Sequence, residues 1–277
     1  MPAKGVMPSP TRTPGASVAT EEHHAVVLDG VRRVFAVAGG RRLGRATGTA
    51  PEPVVALDGV SLSIARGSVV AIVGPSGCGK STLLDLVCGL QRADAGHVGA
   101  VGQAVLMPQG DTLLPWATAL DNAALALRVA GTPKAQARER ARTELEALGL
   151  GRFTDSRPDA LSGGMRQRIA VARTLLSGAP TICLDEPFGA LDAITRAEAQ
   201  AWLTGTLARE PRTVLLVTHD TEEAALLADR IVVLSPRPGR VVADLPVGLP
   251  HPRRATDPGV VAVRARALDA LGAAGRG

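Results

Sequence analysis

An α/β fold with a mainly parallel sheet and a block of helices inserted into it is predicted by three observations. Short β-branched runs at 68–73, 181–184, 213–217 and 231–234 are separated by helical patterns. That alternation produces parallel strands joined by crossover helices. The first of these runs ends in Gly74-Pro75-Ser76-Gly77-Cys78-Gly79-Lys80-Ser81-Thr82. It meets the pattern G-x-x-x-x-G-K-[ST] in the strand–loop–helix setting that the pattern requires. Between 117 and 150 the texture changes to an alanine-rich, helically periodic stretch with no strand signal.

In chain order, Val26-Val27-Leu28 through Ala36 alternates as a first strand, and Gly39 to Pro53, rich in Gly, Arg, Thr and Pro, reads as a loop. Val54 to Ile64 suggests a strand pair turning at Asp58-Gly59. Lys80 to Leu90 places Leu83, Val87 and Leu90 on one helical face, and short strands follow around Gly99 and Gly102. Helices are expected over Asn122 to Val129, over Pro133 to Leu148, and from Ser162 to about Ser177. Pro133 suits a first turn and Gly149 a C-terminal stop. A last strand at Val241 to Leu245 and a helix at Val260 to Leu271 complete the pattern. The expected organisation is a disordered tail over 1–22, a globular domain over 23–252 with its helical subdomain at about 112–178, and a tail over 253–277 with a short helix.

With 277 residues, 45% of them hydrophobic, the chain can bury a sizeable core. The net charge of +5 comes almost wholly from arginine, because the lysines are Lys4, Lys80 and Lys134 alone. The arginines are scattered, aromatics make up 2% and tyrosine is absent, which leaves little for base stacking. Nucleic acid is therefore not an expected partner. Cys78, Cys88 and Cys183 show no C-x-x-C pairing and fall in core segments, which points to reduced thiols in the cytoplasm. No apolar run of 18 residues is present to span a membrane, and Met1 to Thr20 lacks the apolar centre of a secretory signal. Glu21-Glu22-His23-His24 reads as an exposed polar run in a tail, and Arg253-Arg254 as a solvated face with anionic lipid as the alternative.

The glycine-rich loop fits a nucleoside triphosphate for stated reasons. Gly77 and Gly79 let backbone N–H groups curl around an anion, and the helix that follows directs its positive end at the same place. Lys80 can reach the outer phosphates and the Ser81 hydroxyl can ligate Mg²⁺. A second acidic constellation, Asp185-Glu186, closes the run Thr181 to Leu184, at the strand end where open α/β sheets place ligands. Asp185 suits Mg²⁺ and Glu186 suits activation of the attacking water, against the alternative of an acidic helix start. A second anion-ready helix start is Ser162-Gly163-Gly164, within Leu161 to Arg168. It is either a capped helix and nothing more, or half of a site shared between two copies of the chain.

Six of these features, in this order, resemble the ATP-binding subunits of ABC transporters. Gly74 to Thr82 matches the P-loop, Gln109 the Q-loop glutamine, Leu161 to Arg168 the signature, Leu184 to Pro187 the acidic strand end, Ala190-Leu191-Asp192 the D-loop, and His219 the switch histidine. Met165 stands where the commonest signature has glutamine, and Pro108 where an aromatic often precedes the Q-loop. The resemblance implies a P-loop NTPase core with an N-terminal antiparallel β subdomain and an inserted α-helical subdomain. It also implies ATP and Mg²⁺ as cofactors, with two subunits closing head-to-tail around two ATP molecules.

In that picture Gly74, Pro75, Ser76, Gly77, Cys78, Gly79, Lys80, Ser81 and Thr82 bind the phosphates of one chain's ATP, and Ser162, Gly163 and Gly164 those of its partner's. Glu186, His219 and Gln109 are the catalytic set, and Ser81, Gln109 and Asp185 hold the metal. Phe35 stands where the family stacks adenine, with a core strand residue as the alternative. Leu113-Leu114-Pro115-Trp116 with Leu120-Asp121-Asn122 is similar to the corresponding region of importers for nitrate, taurine and alkanesulfonates. Leu114 and Trp116 either anchor a partner's helix or pack within the helical subdomain. The implied protein is an ATPase at the cytoplasmic face of a membrane. It would be a homodimer on two membrane-spanning permease subunits, served by a solute-binding protein, importing a small solute of that group or a related compound such as a pyrimidine precursor. A non-transport ABC ATPase acting on nucleic acid or ribosomes is the alternative.

Overall fold

The computed structural model describes residues 23–36 and 52–275. The tail expected over 1–22 and most of the loop expected over Gly39 to Pro53 lie outside the described residues.

Two sheets share the chain. The first joins β1 (His24–Phe35), β2 (Val54–Ala65) and β4 (Ala95–Ala100) in the antiparallel order β2-β1-β4. The second contains β3 (Val69–Val73), β5 (Ala104–Met107), β6 (Thr181–Asp185), β7 (Thr213–Thr218), β8 (Arg230–Leu234) and β9 (Val241–Pro246). Its order is β5-β6-β7-β3-β8-β9, parallel throughout except for antiparallel β9 at the edge.

The expected turn at Asp58-Gly59 is not a hairpin. Val54–Ala65 is one continuous strand that slips register against β1 between the Arg33–Leu57 and Val31–Val60 pairs. Gly59 sits at φ +68, a bulge conformation open to glycine, so the chain kinks without reversing. The His23-His24 run is likewise no tail, since His24 opens β1 and pairs with Ala65.

All five residues of β3 and of β6, and all six of β7, are buried. Alternate side chains therefore feed two separate cores, one on each face of the sheet. On one face Val70, Ile72, Leu215, Val217 and Val232 pack with α1 (Lys80–Val87) and with the inner face of the antiparallel sheet. On the other, Val69, Ala71, Val214, Leu216 and Val233 meet the remaining helices. Those are α2 (Ala119–Ala123), α3 (Leu125–Val129), α4 (Lys134–Ala147), α5 (Gly163–Leu175), α6 (Ala193–Arg209), α7 (Thr221–Leu227) and α8 (Pro258–Ala274).

The helix expected over Asn122 to Val129 is two short helices meeting at Ala124. Asn122 explains the local shape. It is fully buried; its Nδ2 donates to the carbonyls of Leu114, Ala117 and Thr118, and its Oδ1 accepts the Leu114 N–H at 2.7 Å. One amide thus winds the 114–118 loop around itself. Leu113 is buried, whereas Trp116 is 71% exposed on the outside of that loop.

Arg253 is not on a solvated face. Its side chain is 2% exposed, and its guanidinium donates to the carbonyls of Ala225, Leu226, Ala228 and Leu249. It therefore closes the C-terminal end of α7, whose last carbonyls have no partner within the helix. Cys78 and Cys183 are buried and Cys88 is half-buried, all three as free thiols.

Candidate active site

The parallel strands end together, and their carboxyl ends assemble a cleft of about 520 Å³. Ser76 to Thr82 come from the loop after β3, Gln109 follows β5, Asp185 and Glu186 close β6, and His219 follows β7. Phe35 and Val54 flank the outer side. A larger cavity of about 650 Å³ lies between α6, α7 and the segment 251–255. Its walls mix alanine and leucine with charged residues such as Arg196, Glu222 and Arg254, without a phosphate-binding loop, so size alone does not mark the chemistry.

The loop after β3 needs glycine for a reason visible in its packing. Gly79 has φ +104, and a Cβ there would lie 2.7 Å from Leu57 Cδ2 and 2.8 Å from the Ala56 carbonyl. With that backbone in place, Leu83 N–H closes the first turn of α1 on the Gly79 carbonyl at 2.9 Å. Lys80 is 8% exposed, and its Nζ donates to the carbonyls of Gly74 at 2.7 Å and Pro75 at 3.0 Å. Its partners in the loop are neutral, these two carbonyls and Cys78 Sγ at 4.0 Å, so no carboxylate competes there with an incoming anion.

Asp185 lies 5% exposed beneath this loop. Burial raises its pKa above the usual carboxylate value; the Ser81 hydroxyl, hydrogen-bonded to it, pulls in the opposite direction. Glu186 is at φ +50, one of two non-glycine residues with positive φ among the described residues. A conformation of this kind costs about 1–3 kcal/mol and persists only where its surroundings hold it. Three hydrogen bonds hold its peptide groups. Glu186 N–H donates to the Val217 carbonyl at 2.8 Å, and the Glu186 carbonyl accepts Gln167 Nε2 at 2.7 Å and the Gly189 N–H at 3.3 Å. The carboxylate accepts Gln109 Nε2 at 3.1 Å, and His219 Nδ1 stands 3.2 Å from its other oxygen.

These contacts bring together the expected residues 109, 185, 186 and 219 around the loop 74–82. Since Gln109 spends its Nε2 on Glu186, its amide oxygen is left for a cation. Ser81, Asp185 and Gln109 thus form an all-oxygen donor set, which fits Mg²⁺. The residue after His219 is anchored, as Asp220 Oδ1 accepts the N–H groups of Glu222 and Glu223 and caps α7.

Ser162, Gly163 and Gly164 are not in the cleft. They open α5, with Ser162 and Gly163 exposed, and Ser162 Oγ accepts the Met165 N–H at 3.3 Å as a helix cap. The hydroxyl proton remains free to donate.

A family model described as ABC transporter matches residues 57–189. The chain is 46% identical over 224 residues to the aliphatic sulfonates import ATP-binding protein of Xanthomonas axonopodis, covering 78% of this chain and 74% of that one. The chain belongs to the ABC transporter family. It is an ATP-binding and ATP-hydrolysing cassette. Other ABC relatives include the taurine import ATP-binding protein of Chromobacterium violaceum, 46% identical over 69% of this chain and 76% of that one. The nitrate import ATP-binding protein of Synechococcus elongatus is 40% identical over 83% and 89%. Among solved ABC structures, the dimeric post-hydrolysis state of an ATP-binding cassette bound to ADP and phosphate superposes with a TM-score of 0.69. It is 30% identical and covers 80% of this chain and 98% of that one.

Three residues of this ABC cassette have no role assigned from the sequence, Arg166 among them although it lies within the signature stretch Leu161 to Arg168. Arg237, in the stretch after β8, lines the cleft beside Phe35 and Lys80. Arg166 binds Asp111 at 2.7 Å, and Arg173 donates to the carbonyls of Asp111 and Thr112. Both arginines belong to α5, so the segment just after Gln109 is clasped to the helix that begins at Ser162.

Proposed function

We propose that this ABC cassette energises the import of a small solute. In this reading two copies close head-to-tail around two ATP molecules, each lying between the P-loop of one copy and Ser162–Gly164 of the other. One observation carries it: the chain holds two anion-ready helix starts, one enclosed in its own cleft and one facing solvent. Ser162, Gly163 and Gly164 do not line the cleft that the P-loop builds. The dimeric assembly of the solved ADP-and-phosphate cassette supports the same arrangement.

The geometry supports the following roles. The backbone N–H groups of Gly74 to Thr82 receive the phosphates, and Lys80 exchanges its carbonyl partners for the outer phosphate oxygens. Phe35 faces the adenine at the outer rim of the cleft. Glu186, aimed by Gln109 and His219, takes a proton from water as the water oxygen bonds to the γ-phosphorus. The bond from that phosphorus to the bridging oxygen breaks, and ADP leaves. His219 contacts the γ-phosphate from the same chain, and Ser162 and Gly164 contact it from the partner. Mg²⁺, held by Ser81, Gln109 and Asp185, would supply charge neutralisation at the phosphates.

Coupling to transport uses the loop that follows Gln109. The loop wound around Asn122 presents Trp116 to solvent, a large apolar group suited to a permease helix. Two membrane-spanning permease subunits and a solute-binding protein complete the system, with the cassette at the cytoplasmic face. Similarity to sulfonate, taurine and nitrate import proteins supports a small solute of that class. Reconstitution of the full chain with its permease and binding protein in vesicles tests this. ATP-driven uptake of a sulfonate, taurine or nitrate is expected. Hydrolysis that responds to nucleic acid or ribosomes, and never to the permease, contradicts it.

A further inference from the structure

One buried polar side chain stands outside the chemistry above while touching its centre. Gln167 lies on α5 and is 5% exposed. Its Nε2 donates to the Glu186 carbonyl at 2.7 Å, and its Oε1 accepts the Ala190 N–H at 3.0 Å. Both ends of one amide are therefore spent on the turn that carries the general base. Glu186 is held at φ +50, and Gln167 supplies one of three bonds to its peptide groups, the shorter of the two on its carbonyl, which also accepts the Gly189 N–H at 3.3 Å.

The same helix meets the same turn a second time. A Cβ on Gly164 would stand 2.8 Å from Leu191 Cδ2, so α5 and the D-loop are in close approach there. Gln167 is five residues beyond Ser162, about 7.5 Å along a rigid helix. Displacement of the Ser162 end therefore displaces the amide that holds Glu186.

We infer that Gln167 is a positioning residue coupling the two nucleotide sites. It carries the contact that Ser162–Gly164 makes with the partner's ATP to Glu186, the base that serves the chain's own ATP. The inference rests on the head-to-tail reading above. In its terms Glu186 reaches its working position only when the opposite site is also filled.

The test uses the full chain as wild type, Gln167→Met and Gln167→Glu. Met keeps the length and volume without either hydrogen bond. Glu keeps an acceptor for the Ala190 N–H and loses the donor to the Glu186 carbonyl. Three readouts are taken: ATP affinity of the monomer, ATP-driven dimer mass by light scattering, and hydrolysis rate against ATP concentration. Both variants should bind ATP within about twofold of wild type and still dimerise. Their kcat should fall about 10- to 100-fold, and the Hill coefficient should drop from about 2 toward about 1. A role in packing alone leaves Gln167→Met at wild-type kcat and Hill coefficient, which overturns the inference. Loss of kcat with an unchanged Hill coefficient also overturns it. Should Met compromise folding, Gln167→Glu is judged by the same two criteria. A wild-type chain that hydrolyses ATP as a monomer instead contradicts the head-to-tail reading, and the coupling with it.

Discussion

The helix starts of α1 and α5 are built from the same materials and treated in opposite ways. Each has glycines and a hydroxyl-bearing residue at a positive helix end. At α1 the loop is enclosed, Gly79 is packed against Leu57, and Lys80 is buried and held by its own loop. At α5, Ser162 and Gly163 face solvent, and the hydroxyl does no more than cap its helix. Contacts close to α5 look inward instead, from Gln167 to Glu186 and from Arg166 to Asp111. The difference is what the proposed reading requires, with one end organised to hold a nucleotide and the other to report on one.

If that division is right, damage to the two ends should separate. Lys80→Ala gives the largest effect. ATP affinity should fall about 100-fold or more, roughly 3 kcal/mol, measured by titration calorimetry on the monomer. Unchanged affinity would remove the cradle from the account. Ser162→Asp comes next, because aspartate preserves the helix cap while placing a negative charge against the partner's phosphate. Hydrolysis should fall about tenfold or more at saturating ATP while monomer affinity stays within about twofold. Loss of monomer binding would show that the two ends are not separate.

Asp185→Asn has the smallest effect on the folded chain and sharpens the enclosed half. Burial raises the Asp185 pKa, so in the folded state its ionised form is a cost that disappears as pH falls through that raised value. The variant should therefore unfold about 1 kcal/mol later than wild type near neutral pH, with the gap closing toward acid pH. Its Mg²⁺-dependent hydrolysis should be lost. Thermal unfolding across pH, with parallel ATPase assays, checks both parts.

The enclosed half was legible in the sequence because its chemistry is local. Gly79, Lys80 and Ser81 are neighbours and their spacing marks the loop, and Asp185 and Glu186 close a β-branched run, where the upstream loop favours a ligand role over an acidic helix start. The reporting half was only partly legible. Ser162-Gly163-Gly164 announces a helix start, but nothing local says that Gln167 reaches Glu186 or that Arg166 and Arg173 reach residues 111–112. These bonds join residues far apart in sequence, and an arginine or glutamine has the same side chain whether it is solvated or buried. Arg253 misleads for that reason, since a basic pair beside proline looks solvent-exposed until the ends of α7 are placed next to it. Asp58-Gly59 misleads for another: a glycine at positive φ serves a bulge as well as a turn, and only the pairing of β1 with β2 distinguishes them.

The central claim is that the P-loop is half of a nucleotide site. Glu186→Gln tests it most directly, because the amide keeps the shape of the general base while removing its basicity. With ATP and Mg²⁺, light scattering on this variant should give the mass of two chains, with two ATP molecules retained per dimer. Adding Ser162→Asp to it should return the mass to one chain. A Glu186→Gln chain that binds ATP fully and stays monomeric would contradict the account.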